Sequence, residues 1–228
     1  MDAVASWLKE HTLILVLATG AVFTFLWLLQ FRKRLKYGLL ASVVIAILAE
    51  IIGVMTVKCF AAFENLGSPE PFGKISLFGG VFFMPLTFWL GAKITGRAVS
   101  DVFDILSIAL IFTMLCARVN CLVTGCCVGL PIPGTNGLRW PTRETEIIYY
   151  IVILLLFAPR VFKGATAGEI YPLYMISYGA FRFFVEFFRV SYNSNRIVHI
   201  SHFWALMSFC CGWSVLLELR KKEGKYGD

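Results

Sequence analysis

SYGAFRFFVEFFRV, residues 177–190, is an apolar run interrupted by Tyr178, Arg182, Glu186 and Arg189. These stand at i, i+4, i+8 and i+11. At about 100° per residue on an α-helix they fall within roughly 80° of one another. The residues between them are Phe, Val, Ala and Gly. An ionised side chain at the centre of a bilayer costs about 2.5–3.5 kcal/mol even on the mildest scale, so such a stripe faces a partner or a cavity. Two arginines on it suit an anionic ligand.

The rest of the chain has the same character. Of its 228 residues 58% are hydrophobic and 15% charged, against about 25% charged in an average soluble domain. Apolar runs near the length of a bilayer-crossing helix recur at 12–31, 38–61, 76–92, 102–122, 146–159, 170–190 and 200–219. The expected class is therefore all-α: a polytopic integral membrane protein of about seven transmembrane helices, forming one domain over residues 1–228. The fifth segment is short for a crossing, so it is expected to begin earlier, tilt or lean on neighbours. No basic region precedes the first run, and Arg32, Lys33, Arg34 and Lys36 follow it, which reads as a retained span rather than a cleaved signal peptide.

Lysine and arginine bias sets the orientation. With the N-terminus outside, the inner segments hold Arg32, Lys33, Arg34, Lys36, Lys93, Arg97, Arg160, Lys163, Arg220, Lys221, Lys222 and Lys225. The outer ones hold Lys9, Lys74, Arg139, Arg143 and Arg196. The imbalance favours an outside N-terminus and an inside C-terminus. The net charge of +7 then belongs mostly to an inner rim that grips anionic membrane lipids, and no nucleic-acid partner is expected.

In that topology the fourth and sixth segments run in the same direction. Arg118 and Arg182 then lie in the outer half of the bilayer at nearly matching depths. Two guanidiniums from different helices suit a phosphate, because each planar fork donates two parallel hydrogen bonds. The competing reading pairs Arg182 with Glu186 one turn away and lets Arg189 reach for the interface.

The fourth segment ends in ARVNCLVTGCCVGLPIPG, which carries Cys116, Cys121, Cys126 and Cys127. The spacing is not a repeated C-x-x-C and no nearby His completes a set, so no metal or other cofactor is expected. A redox centre is the alternative. Close packing beside Gly125 and Gly129 is the plainer account. Cys59, Cys210 and Cys211 also read as packing. Gly79 and Gly80 open the third segment, where paired glycines allow backbone close to a partner or ligand. Asp101 and Asp104 read as charges at the N-terminus of their own helix. Glu50 reads as facing the bundle interior, with Lys58 a distant partner.

Several of these segments resemble the prolipoprotein diacylglyceryl transferase family. Tyr178–Arg189, YGAFRFFVEFFR, is similar to that family's Y-G-x-x-R-x-x-x-E-x-x-R at every fixed position. Ala117–Gly129 resembles G-R-x-G-[NC]-F-x-x-G-x-x-x-G, with Arg118, Cys121, Gly125 and Gly129 matching and Ala117, Asn120 and Leu122 departing. DVFD, residues 101–104, resembles the D-x-x-D entry to that helix. Pro141–Glu146 resembles H-P-[ST]-Q-x-Y-E at Pro141, Thr142 and Glu146. The similarity covers roughly residues 70–190.

The resemblance implies a multi-pass enzyme of the bacterial cytoplasmic (inner) membrane. It would transfer diacylglyceryl from phosphatidylglycerol to the lipobox cysteine thiol of a prolipoprotein signal peptide and release glycerol phosphate. It implies catalytic roles for Arg118, Arg182 and Tyr178, and substrate binding by Glu186, Arg189, Gly129, Gly79, Gly80 and Glu146. The nucleophile belongs to the substrate, so the enzyme needs no cofactor and no nucleophile of its own. Two departures stand out. Phe78 occupies the place of the family's His before the paired glycines, and Trp140 that of the His before Pro-Thr. His202, near the outer end of the last segment, is a candidate substitute base. The alternatives are a transferase with another acceptor, a phospholipid-binding protein without turnover, and a thiol-redox protein.

Overall fold

The computed structural model describes residues 2–66, 75–164, 167–190 and 198–226. In chain order its helices are α1 (Asp2–Gln30), α2 (Arg32–Leu35), α3 (Leu39–Glu64), α4 (Phe78–Thr95), α5 (Val99–Thr124), α6 (Thr142–Lys163), α7 (Ile170–Glu186) and α8 (Ile200–Tyr226). The protein is all-α, and among the described residues 6 helices are long and apolar enough to cross a membrane. The seventh long helix, α7, has 17 residues and spans roughly 25 Å. Lys74, Arg196 and most of the 65–74 loop lie outside the described residues, as do the side chains of Lys9 and Lys225.

Each of the seven expected segments forms a helix, with several ends displaced: α1 begins at Asp2 rather than 12, α8 runs to Tyr226 rather than 219, α6 extends four residues at each end, and α7 is shorter than expected. α6 begins at Thr142 rather than 146, and its 22 residues reach roughly 33 Å, enough to cross. α7 stops at Glu186 rather than 190. Phe187, Phe188 and Arg189 donate from their N–H groups to Phe184, Val185 and Glu186, the tighter pattern of a closing turn. The chain then exchanges partners: Val190 N–H donates to Val128 O and Leu130 N–H to Phe188 O. Arg189 thus leaves the helix and stands in an isolated antiparallel bridge opposite Gly129.

α5 is the central element. Of its apolar window 61% is buried, against 39% or less for the other spans, and it packs on α1, α4, α6 and α7. α7 lies closely along α8. A Cβ at Gly179 would stand 2.5 Å from Ala205 O and one at Gly212 2.7 Å from Pro172 O, so both glycines let the backbones approach. Leu40, Ile94 and Leu155 face outward, as a lipid-facing surface requires.

Pro85 interrupts the hydrogen-bond ladder of α4, leaving the Val81 carbonyl without its usual N–H donor. The buried Tyr171 hydroxyl donates to that oxygen at 2.6 Å, so α7 completes α4. Tyr171→Phe keeps the edge-to-face rings of Phe88 and Phe103 but orphans the carbonyl. It is expected to lower stability by about 1–3 kcal/mol, read as a lower melting temperature in detergent. An unchanged melting curve would sink this account.

Asp104 differs from expectation. Its carboxylate accepts from Gly168 N–H at 2.9 Å and Ile170 N–H at 3.2 Å, so it caps the start of α7. Asp101 pairs with Arg34 at 2.5 Å, and Arg34 also donates to Val161 O. Arg97 donates to Lys36 O, and Arg220 pairs with Glu169. The Arg34–Asp101 pair thus lies at the α6 C-terminus, about 22 Å along the helix from Glu146.

Candidate active site

At the other end of the bundle five charged side chains from three helices and one turn converge. Glu146, in the second turn of α6 and 2% exposed, is their centre. Arg182 of α7 donates from Nη1 to Glu146 Oε1 at 2.8 Å, and its Nη2 lies 2.6 Å from Glu186 Oε2. Arg118 of α5 meets the opposite oxygen, Oε2, through Nε. Arg189 Nη1 lies 3.6 Å from Glu146 and 3.7 Å from Glu186, distances of ion pairing rather than hydrogen bonding. Three arginines against two glutamates leave one net positive charge within this set.

Arg118 and Arg182, matched in depth by sequence, therefore meet on one carboxylate. Arg182 engages both terminal nitrogens with carboxylates. Arg118 and Arg189 each retain a guanidinium edge that makes no hydrogen bond among the described residues. All three line a cavity of about 750 Å³, with Tyr178 and Glu186 on the same wall. That volume suits a ligand of several hundred daltons. The Tyr178 hydroxyl is buried without a hydrogen-bond partner among the described residues.

The other expected residues divide. Gly80 lines the cavity. Gly79 does not, and a Cβ there would press on the Thr56 carbonyl and stand 2.8 Å from Phe60 Cβ, so it is a packing glycine. Gly129 packs its Cα on the Trp140 backbone, and its carbonyl accepts from Arg139 at 3.1 Å. His202 lies behind Phe183 and Phe187, and its Nδ1 accepts from His199 N–H at 3.1 Å. It is not among the residues lining the cavity, so its position gives no support to a role as base. Phe78 packs under Arg182, whose Cζ stands 5.9 Å from the ring centroid, a cation–π contact.

Sequence reasoning underestimated two features. Glu146 was reached only through family likeness, although a carboxylate near the start of a span at the depth of Arg118 is itself a signal. Glu50, buried in α3, accepts from Thr113 Oγ1 at 2.9 Å and not from Lys58. It lies against Gly20 of α1, where a Cβ would stand 2.6 Å from Oε1.

The cysteines also converge. The sulfurs of Cys121, Cys126 and Cys127 all lie within 4.8 Å of one another. α5 ends at Gly125 in the left-handed region (φ +75°), which folds residues 126 and 127 back on Cys121. Hydrogen bonding with Cys121 and Cys126, and then the guanidiniums of Arg189 and Arg118, hold the Cys127 thiol below its ordinary range against the opposing effect of burial.

Fold and cluster together define a polytopic helical membrane protein whose buried arginines and Glu186 line a cavity of about 750 Å³, with Glu146 behind them and not on its wall. The family model for prolipoprotein diacylglyceryl transferase matches residues 11–217, and the chain belongs to that family. A phosphatidylglycerol–prolipoprotein diacylglyceryl transferase of Oleidesulfovibrio alaskensis is 28% identical over 131 residues, covering 51% of this chain and 48% of that protein. One of Dehalococcoides mccartyi is 24% identical over 199 residues, covering 78% and 76%. The matched region thus spans about half of the first relative and about three quarters of the second.

Proposed function

We propose that this chain transfers the diacylglyceryl group of phosphatidylglycerol to the cysteine thiol of a prolipoprotein signal peptide. The observation that carries the proposal is the meeting of Arg118, Arg182 and Arg189 around Glu146 on the wall of the cavity. The phosphodiester sits against the free edges of Arg118 and Arg189 and the Tyr178 hydroxyl. Arg182 holds Glu146 and Glu186 in place and adds its charge. The substrate thiol releases its proton to solvent and its sulfur attacks the terminal glyceryl carbon. A carbon–sulfur bond forms, the carbon–oxygen bond to phosphate breaks, and glycerol phosphate leaves with the electron pair. Charge develops on the phosphate oxygens, where fixed donors in a low-dielectric site act most strongly.

The enzyme resides in the bacterial cytoplasmic membrane with its N-terminus outside and C-terminus inside. The basic residues gathered at the Arg34–Asp101 end support that orientation, and the active site then opens to the outer half.

Expression in a strain depleted of its own transferase tests the function. Growth is expected to return, and a reporter lipoprotein to gain the diacylglyceryl mass. Phe78, packed under Arg182 where the family carries His, motivates a second reading in which another thiol or an alcohol is the acceptor. In that case phosphatidylglycerol is consumed and glycerol phosphate released in vitro while the reporter stays unmodified. No consumption at all overturns both readings.

A further inference from the structure

Three thiols stand together on the wall of the cavity, and the arginine cluster does not use them as ligands. Cys121 belongs to the last turn of α5, while Cys126 and Cys127 follow the reversal at Gly125. All three are free thiols. Counted along the chain, C-x4-C-C matches no common metal pattern, and sequence alone argues against a metal. In space the three sulfurs lie within 4.8 Å of one another. A tetrahedral zinc site with Zn–S near 2.3 Å places its sulfurs about 3.8 Å apart. Rotation of the side chains within their wells covers the difference.

Three further observations favour a built site. Cys127 has φ +56°, a left-handed conformation that a side-chain-bearing residue adopts at a cost of about 1–2 kcal/mol. Here that conformation turns the chain so that both Cys126 and Cys127 join Cys121. Thr142 anchors the turn, its Oγ1 donating to Cys127 O at 3.4 Å, and Thr124 Oγ1, which donates to Asn120 O at 2.9 Å, stands 3.4 Å from Cys126 Sγ. Contacts around the ligand residues hold the backbone of a metal site in place in this way. The charges also match. Three thiolates and a divalent cation sum to −1, beside an arginine–glutamate set of +1.

We propose that Cys121, Cys126 and Cys127 bind a zinc-class divalent cation through three thiolates, and that its fourth position, facing the cavity, takes the acceptor thiol. The metal site stands on the sulfur geometry and its immediate surroundings; the role of the fourth position rests on the transferase reading. All three cysteines line the same cavity as Arg118, Arg189 and Tyr178, so a thiol bound there stands beside the phosphodiester. Coordination removes the thiol proton to solvent, because a metal-bound thiol is held as thiolate. That sulfur attacks the glyceryl carbon, phosphate departs with the electron pair, and nothing is oxidised or reduced. The thioether product lacks the charge of a thiolate and leaves. A metal in this position supplies what the family's His at position 78 would otherwise supply.

The test uses the full chain purified in detergent under reducing conditions. Titration with Co2+ is expected to give one equivalent bound, with a sulfur-to-cobalt charge-transfer band that Zn2+ abolishes. The triple variant C121S/C126S/C127S is expected to lose the band while still binding phosphatidylglycerol, which shows that it folds. A single-cysteine signal peptide is expected to shift the cobalt ligand-field spectrum, and the same peptide with serine is not. Lipidation is expected to be lost on chelation and to return with Zn2+.

Absence of stoichiometric binding, or binding undiminished in the triple variant, overturns the metal site even if lipidation proceeds. A cobalt spectrum indifferent to the peptide thiol overturns the role of the fourth position. Metal and peptide binding without consumption of phosphatidylglycerol leaves this site standing and refutes the transferase reading instead.

Discussion

Glu146→Ala is expected to destabilise the protein by about 3–5 kcal/mol and to abolish lipidation, because it leaves three buried arginines with one carboxylate between them. Glu146 meets Arg118 on one oxygen and Arg182 and Arg189 on the other, at 2% exposure. Its loss changes the set from +1 to +2. At an effective dielectric near 20, two like charges about 5 Å apart repel by roughly 3 kcal/mol. Glu146→Gln keeps an acceptor for Arg182 but not the charge, and is expected to fall between Ala and the parent protein. Lys221→Ala is the control. It removes an ion pair with Glu218 whose partners are 70% and 65% exposed, and is expected to change the melting temperature hardly at all. Thermal unfolding in detergent measures all three variants. A Glu146→Ala melting temperature within experimental error of the parent would mean that the arginines are held apart by something other than this carboxylate.

The residues that were legible in sequence are those whose signal lies within one helix. The stripe of Tyr178, Arg182 and Glu186 follows helical period, and all three line the cavity. The seven segments declared themselves by apolar length, because a bilayer imposes that length on each helix separately. Arg118 and Arg182 could be matched because depth is simple arithmetic once direction is assigned.

What remained illegible depends on neighbours far apart in the chain. Arg189 reads as helical by period, yet the backbone of residues 187–190 finds better partners in 128–130, and no periodicity encodes that exchange. Asp104 reads as a cap for its own helix, while its carboxylate serves Gly168 and Ile170 more than sixty residues later. The same limit hid the three-sulfur cluster. Its ligands join only when Gly125 and Cys127 both turn left-handed, and a non-glycine residue in that region carries no local signature.

The arginines are expected to separate by function when each is removed. Arg118→Ala is expected to lower the lipidation rate by about 10²–10³-fold, the loss typical of a donor aimed at developing negative charge. Its effect on stability is expected to be the smaller one, because Glu146 retains Arg182 at 2.8 Å and Arg189 at 3.6 Å. Arg182→Ala is expected to lose activity to a similar extent and also to unfold at lower temperature. It deprives Glu146 and Glu186 together of their closest shared partner, leaving Glu186 with Arg189 at 3.7 Å. Arg118→Lys keeps the point charge and loses the planar fork, so it is expected to recover only part of the rate. Single-turnover lipidation with saturating phosphatidylglycerol, paired with melting curves, separates the two arginines. A rate for Arg118→Ala within about threefold of the parent, less than 1 kcal/mol in the barrier, would show that its free edge does not meet the phosphate in the transition state. The phosphate would then have to be held by Arg189 and Tyr178 alone.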